Sequence, residues 1–463
     1  MARPGPRVAI VGAGPAGAFA AAGLLRARGD AEVDLFERLP TPWGLLRGGV
    51  APDHQEIKQL GDTFDRQTLR RGCRFLGNVE VGVDVSHAEL MRHYTAVIYA
   101  TGAQTDKSLG IPGEDLPGSW AATDFVAWYN GHPDYRGLEF DLSAERAVVI
   151  GNGNVAADVT RMLVLGAREL EATDVADHAL EALRESRIRE VIVLGRRGPA
   201  QAAFTSAELR ELGNLDDVDV RVDPGDVELD PVSSAWLAEE GTFTAGINVK
   251  LLREFSARPA QDDAARRIEL RFLRSPVEIR GDGRVEAVDV GRNEIVRDDQ
   301  GMLRARPLDE DVETIDCGLV LRSVGYRAVP LPDVPFDERS FVLPNERGRV
   351  QTPDGAPLPG VYAVGWIKRG PTGILGTNKR DAEETVRCLV EDLDGGALPE
   401  PADPGSDRID ALLAERKPDL VTVEGWRAID AHELEHGERE SRPRVKLASR
   451  EELLAAAADP VRG

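Results

Sequence analysis

Two apolar runs in this chain each break off into a glycine-rich turn, and few folds accommodate that pattern twice. Residues 7–17 read Arg-Val-Ala-Ile-Val-Gly-Ala-Gly-Pro-Ala-Gly, and residues 147–156 read Ala-Val-Val-Ile-Gly-Asn-Gly-Asn-Val-Ala. In the first, a β-rich run leads through Gly12, Gly14 and Gly17 into a helical run over residues 18–28. The next apolar strand, residues 33–36, ends at Glu37. Gly12 permits a tight turn, Gly14 lets the backbone approach a pyrophosphate, and Gly17 lets helix pack on strand. An acid about 20 residues on accepts from ribose hydroxyls. The first site is read as an adenine dinucleotide site.

The second turn, Asn152, Gly153, Asn154 and Val155, carries Ala156 at the third glycine position, a variant that preserves close helix–strand packing. Its partner strand, residues 191–194, ends in Gly195-Arg196-Arg197-Gly198 where an acid would otherwise stand. A carboxylate there would repel a 2′-phosphate, whereas guanidiniums bind one through charge-assisted, bidentate hydrogen bonds. The second site is read as selecting NADPH over NADH. Arg196 lies about 40 residues beyond Ala156, so the spacing predicts an extra helical excursion over residues 170–186.

With 463 residues, 42% of them hydrophobic, the chain has room for two or three domains. No run of 18 apolar residues occurs, and the first strand begins six residues after Met1. The reading is a soluble, cytoplasmic chain with no signal peptide and no membrane span. Cys73, Cys317 and Cys388 are far apart and form no C-x-x-C, which argues against a zinc site or a redox dithiol and for buried structural thiols. The histidines and serines match no metalloprotease or serine-hydrolase spacing, so no metal is expected. A net charge of −23 disfavours nucleic acid and anionic membranes. An acidic partner would need a local basic patch; the candidates are Arg184, Arg187, Arg189, Arg196, Arg197 and Arg210, and, near the end, Lys368, Arg369, Lys379 and Arg380.

The order of signals predicts one nucleotide domain interrupted by another: residues 1–103, then 104–325, then 326–463 returning to the first. The apolar runs 96–100, 318–325 and 360–365 mark the crossings. Within the insert, strand-rich stretches are expected at 248–255, 267–272 and 284–292, with a hairpin at Gly281-Asp282-Gly283. After Pro399 a Pro/Asp/Gly-rich linker leads to two polar helical segments, around 408–414 and 450–458.

Several further motifs occur in fixed order: Pro-Trp-Gly-Leu-Leu-Arg-Gly-Gly-Val-Ala-Pro-Asp-His at 42–54, Tyr-Ala-Thr-Gly-Ala at 99–103, Gly-Arg-Arg-Gly-Pro-Ala-Gln-Ala-Ala-Phe-Thr at 195–205, and Gly-Pro-Thr-Gly-Ile-Leu-Gly-Thr-Asn-Lys at 370–379. With the two glycine turns, the set resembles the adrenodoxin reductase type of ferredoxin–NADP⁺ reductase over nearly the whole chain. Trp366, where related two-dinucleotide flavoproteins end a motif in Gly-Asp, is also similar to that group. The resemblance implies an α/β fold with two Rossmann-like, glutathione-reductase-like domains, the NADP domain inserted into the FAD domain.

It further implies that Ala16, Glu37, Leu45, Val81, Trp366, Gly373, Ile374 and Leu375 contact FAD. Asn152 to Val155, Arg196, Arg197 and Glu208 would contact NADP(H), with Gly373 near both cofactors. Lys107 stands where relatives often have arginine; it keeps the charge and loses the fork. His54 and Glu211 resemble a pair near the flavin that tunes proton traffic or nicotinamide orientation. The implied activity is electron transfer from NADPH through FAD to a ferredoxin-type iron–sulfur protein. Three other readings remain open at this point. A disulfide reductase is opposed by the cysteine positions, and a subunit like the small subunit of glutamate synthase by the lack of cluster cysteines. A non-catalytic NADPH-binding regulator would retain both turns without turnover.

Overall fold

The computed structural model describes residues 5–459 except 262 and 374, with backbone alone at 309–311. The chain divides into two compact units, one of Met1–Thr105, Asn130–Asp134 and Tyr326–Gly463, the other of Asp106–Tyr129 and Tyr135–Gly325. Assigning 104–325 as an unbroken insert misses the short return at Asn130–Asp134, where Asn130 accepts hydrogen bonds from Lys58 and Lys446 of the first unit.

The first unit is built on a seven-stranded sheet. Five parallel strands lie in the order Pro357–Ala363, Ala96–Tyr99, Arg7–Val11, Glu32–Glu37, Arg74–Gly77, and an antiparallel hairpin, Asn345–Glu346 and Arg349–Gln351, extends the first edge. The period-2 alternation of side chains decides the layering. Val8, Ile10, Val33 and Leu35 face the helix Pro15–Ala27, while Ala9, Val11, Val97 and Tyr99 fill the other face. The helix Leu375–Asp394 lies along Pro15–Ala27, where Gly23 admits the Val386 side chain.

The second unit has a six-stranded, wholly parallel sheet in the order Ser119–Ala121, Leu319–Arg322, Arg146–Ile150, Glu190–Gly195, Arg266–Phe272, Val218–Val222. Ala147, Val149, Val191 and Val193 face one layer, and Val148, Ile150, Ile192 and Leu194 the other. In both sheets the order reverses beside the strand that carries the glycine turn. The crevice at the carboxyl end of that strand is where such sheets bind ligands.

The expected excursion between Ala156 and Arg196 is present as the short helices Ala167–Glu171 and Asp177–Arg184. The predicted hairpin joins the antiparallel strands Arg274–Arg280 and Ala287–Arg297. Residues 248–255 are not a strand. They belong to the helix Phe243–Ser256, capped by Thr242, and bury Asn248, Val249, Leu252 and Phe255 at helical spacing. The C-terminal part has the expected helices Ser406–Arg416 and Arg450–Ala458, and a third, Val423–Glu440, that the polar sequence conceals. No helix of the described residues is long and apolar enough to cross a membrane.

Candidate functional site

In the first unit the turn after Arg7–Val11 is shaped by steric necessity. Gly12 has φ +105°, and a Cβ there would lie 2.6 Å from the Ala100 carbonyl oxygen. A Cβ on Gly17 would lie 2.0 Å from the Gly12 oxygen, so only glycine lets the helix sit this close to the strand. At Gly14, by contrast, a Cβ would clash with nothing: its nearest neighbour would be the Gly44 Cα, in ordinary contact at 3.8 Å. The helix Pro15–Ala27 begins there with no side-chain cap, leaving its first N–H groups and the positive end of its dipole for an anionic ligand. Glu37 is part-buried and reaches back to this turn, one oxygen accepting from the Ala13 N–H at 2.9 Å and the other from the Leu39 N–H at 3.1 Å. Burial pushes its carboxyl up from the ordinary range despite these bonds.

The other residues assigned to this site also lie in the first unit. Ala16 is buried, its Cβ 2.5 Å from where a Cβ on Gly365 would stand, which explains the glycine at φ +76°. Leu45 is 38% exposed and opens the turn Leu45–Gly48. Val81 is part-buried in an isolated bridge with Val85. Trp366 starts the turn Trp366–Arg369 with its ring 5.1 Å from that of Tyr326, and its buried indole Nε1 has no partner among the described residues. Gly373, at φ +83°, precedes Leu375, the first residue of the helix Leu375–Asp394. Ile374 lies outside the described residues. His54 caps the short helix Gln55–Lys58 without a side-chain cap bond and is part-buried.

The second unit repeats the arrangement. Gly151 has φ +128°, with Ser323 oxygen 2.1 Å from a hypothetical Cβ, and Ala156 is fully buried at the third position. The helix Asn154–Val164 starts at Gly153 with no side-chain cap. The turn is braced by its neighbour loop: Ala203 N–H donates to the Asn152 carbonyl at 3.0 Å, and Thr205 N–H to Asn154 Oδ1 at 2.8 Å. The buried Asn152 Nδ2 has no partner among the described residues. Val155 packs at the edge of the core.

Arg196 and Arg197 follow the strand Glu190–Gly195, the first exposed and the second part-buried. Among the described residues neither guanidinium has an acidic partner. Burial, and secondly the charge of Arg196, lowers the Arg197 pKa. Two adjacent guanidiniums at the carboxyl edge of a sheet, with no acidic partner among the described residues, offer a site that an anion can complete. Glu208 is placed differently from a free ligand contact. It is buried, and its Oε2 takes a bond of 2.9 Å from Arg161, a side chain 1% exposed that also pairs with Asp158 at 2.8 Å and Glu211 at 3.7 Å. Glu211 is itself half-exposed on the helix Ser206–Leu212. Lys107 is exposed.

Two features could not be inferred from local sequence. Trp43 adopts φ +78°, unusual for a large side chain, and its N–H donates to the Ala13 carbonyl at 2.9 Å, laying the 43–47 segment against the first glycine turn. Asp381 is buried under the 365–366 turn, accepting from Gly365 N–H at 2.5 Å and from Lys368 Nζ at 2.8 Å. Lys368, a candidate for a surface basic patch by sequence, is therefore a buried structural cation. Arg184 is likewise committed to Glu171 at 2.7 Å. The three cysteines are free and buried, and burial pushes the Cys73 and Cys317 thiols up, as inert structural thiols require.

A dinucleotide fits both sites. The turns present uncapped helix ends, Gly14 and Gly153 free of close contacts, and polar groups on Trp366 and Asn152 that lack partners among the described residues. Comparison with known proteins agrees. Residues 6–193 match the family model described as pyridine nucleotide-disulphide oxidoreductase. The chain is 50% identical over 456 residues to the NADPH-ferredoxin reductase FprA of Mycobacterium leprae, covering 96% of this chain and 97% of that one. It is 42% identical to the mitochondrial NADPH:adrenodoxin oxidoreductase of Arabidopsis thaliana, covering 98% and 95%. The solved structure of Mycobacterium tuberculosis FprA in complex with NADPH superposes with a TM-score of 0.92 at 49% identity, covering 98% of this chain and all of that one. Sharing half its residues with such relatives across nearly its whole length, the chain belongs to the NADPH-ferredoxin reductase family that includes the adrenodoxin reductases.

Proposed function

We propose that this protein is a ferredoxin–NADP⁺ reductase that takes electrons from NADPH and passes them through FAD to a small ferredoxin-type iron–sulfur protein. FAD is assigned to the first glycine turn and NADP(H) to the second. The observation that carries the reading is the unneutralised Arg196–Arg197 pair beside the second turn, set in a chain with two switch-point dinucleotide crevices. The names of the relatives, NADPH-ferredoxin reductase and NADPH:adrenodoxin oxidoreductase, support it.

The chain's own work is binding and orientation. Gly12 and Gly17 bring the first helix end against its strand so that its N–H groups meet the pyrophosphate, and Glu37 fixes the turn while offering remaining lone pairs to ribose hydroxyls. The residues assigned to the flavin are Ala16, Leu45, Val81, Trp366, Gly373, Ile374 and Leu375. Leu45 and Trp366 supply apolar surface, and the indole N–H of Trp366 a free donor. Asn152 to Val155 cradle the NADP pyrophosphate, and Arg196 and Arg197 grip the 2′-phosphate. Glu208, held by Arg161, borders that site. His54 and Glu211 are assigned to proton traffic or nicotinamide orientation. When bound, FAD supplies the conversion of a hydride's electron pair into single electrons.

An acidic iron–sulfur partner would dock on local basic residues including the exposed Arg210, against the repulsion of the chain's net charge of −23. A cytoplasmic location accords with three free, buried cysteines and no disulfide among the described residues. The test is direct: the purified protein should be yellow, release FAD on acid precipitation, and be reduced by NADPH far faster than by NADH. Colourless protein, flavin that stays with the precipitate, or equal rates with both nucleotides would contradict the reading.

A further inference from the structure

The helix Val423–Glu440, in the C-terminal part of the chain, carries a carboxylate, Glu433, with no exposed surface at all. A lone buried carboxylate is expensive, and this one is satisfied by an unusually full set of donors. Arg47 forks onto both oxygens, at 2.7 and 2.5 Å, Arg444 Nη1 reaches one at 3.0 Å, and the Leu447 N–H the other at 2.9 Å. Arg444 is shared with Asp430 at 2.8 Å, and the Arg47 guanidinium also sits 5.8 Å from the ring of Trp426 on the same helix. Lys446 adds a bond to the Arg47 carbonyl at 3.4 Å.

Arg47 is not an ordinary surface residue. It ends the segment Trp43-Gly44-Leu45-Leu46-Arg47, in which Trp43 holds φ +78° and donates to the Ala13 carbonyl. A Cβ on Gly44 would lie 2.9 Å from the Gly14 Cα. The strained segment thus forms a wall against the first glycine turn. A backbone held in a sparsely populated region needs its surroundings to over-determine it. The forked pair with Glu433 is the strongest anchor on that segment's far end.

We propose that Glu433 is a positioning residue for the FAD site: acting through Arg47, the C-terminal extension clamps the 43–47 segment over the first dinucleotide turn and sets how tightly the cofactor is held. The inference rests on assigning FAD to that turn. The side-chain oxygens of Glu433 accept from Arg47, Arg444 and the Leu447 N–H, so its effect reaches the 43–47 segment through the Arg47 fork and, secondarily, through the 444–447 stretch whose Lys446 bonds the Arg47 carbonyl.

The experiment measures FAD released from diluted holoenzyme, by its fluorescence, alongside the thermal midpoint of the same samples. Glu433→Gln should raise the FAD dissociation constant at least about 10-fold, since the fork loses its charge and the part-buried Arg47 guanidinium loses its charged partner. Glu433→Asp and Arg47→Lys, which keep the charges and impair the fork, should give intermediate values and serve if Glu433→Gln does not fold. Arg349→Gln breaks a comparable forked pair with Asp392, both bonds 2.8 Å, away from the glycine turn. It should lower the thermal midpoint while leaving FAD affinity unchanged. Unaltered FAD affinity in the Glu433 and Arg47 variants would overturn the proposal, as would an Arg349 variant that loses FAD equally. Wild-type protein that binds no FAD would instead overturn the cofactor assignment beneath it.

Discussion

Glu37 accepts the Ala13 N–H at 2.9 Å, tying the end of one strand to the glycine turn that follows its neighbour. The acid expected to bind ribose is therefore also part of the turn's own scaffold. Burial raises its pKa, so the ionised form costs stability above the pKa of the unfolded chain and that cost vanishes at lower pH. Ribose hydroxyls donate more strongly to the ionised form, whose hydrogen bonds are charge-assisted. FAD retention should consequently weaken as pH falls, beginning above the ordinary glutamate range. Glu37→Gln should weaken FAD about 10- to 100-fold, the worth of a charge-assisted bond. It should also remove this pH dependence, and because the amide can accept only one of the Ala13 and Leu39 N–H bonds, the FAD-free protein should lose about 1 kcal/mol, measured by flavin fluorescence and thermal unfolding.

Arg196→Ala and Arg197→Ala should each raise KM for NADPH about 10- to 100-fold, because each charge-assisted bond to the 2′-phosphate is worth roughly 1.5–3 kcal/mol. NADH use should barely change. Steady-state kinetics with both nucleotides checks this, and equal losses with both would remove the 2′-phosphate assignment.

Arg161→Met would strand Glu208 and Asp158 beside an apolar side chain. Removing one partner of a buried ionic cluster costs about 3–5 kcal/mol. Denaturant unfolding should show that loss, and, if Glu208 borders the second site as proposed, KM for NADPH should rise.

For Glu433, burial opposes ionisation, but the Arg47 and Arg444 guanidiniums outweigh it and hold the carboxyl below the ordinary range. A depressed folded-state pKa contributes stability that is complete above the unfolded pKa and lost as pH falls through the folded one. Acid unfolding of the wild type should therefore include a component that Glu433→Gln lacks, read as a shallower decline of the thermal midpoint below the carboxylate range.

Much of the fold could be read from residue order, because strand–turn–helix units with glycine at obligatory positions leave local traces. Gly12, Gly17 and Gly151 stand where the backbone forbids anything larger. The misread stretch 248–255 shows the limit of that reading. Its apolar residues suggest a strand, but Asn248, Val249, Leu252 and Phe255 share one helical face, and the Thr242 cap six residues earlier settles the choice. The Glu433–Arg47 pair leaves no local trace, since its partners lie 386 residues apart and the helix that carries Glu433 is polar along its length. Glu208 is assigned to the second site only through the family resemblance, and its ion pair with Arg161 depends on two helices meeting in the fold.

The central claim, that electrons pass from NADPH to an iron–sulfur protein, is tested most directly by NADPH-driven cytochrome c reduction with and without an added acidic ferredoxin. A salt series should accompany it. Because the Debye length is about 8 Å at physiological salt, moderate salt should screen the distant acids while sparing close pairs. The account predicts strong acceleration by ferredoxin, changing modestly at first with salt and then falling, and a lower ferredoxin-dependent rate for Arg210→Glu. An unchanged rate in that variant would contradict the docking patch; no acceleration by ferredoxin at any salt concentration would contradict the claim itself.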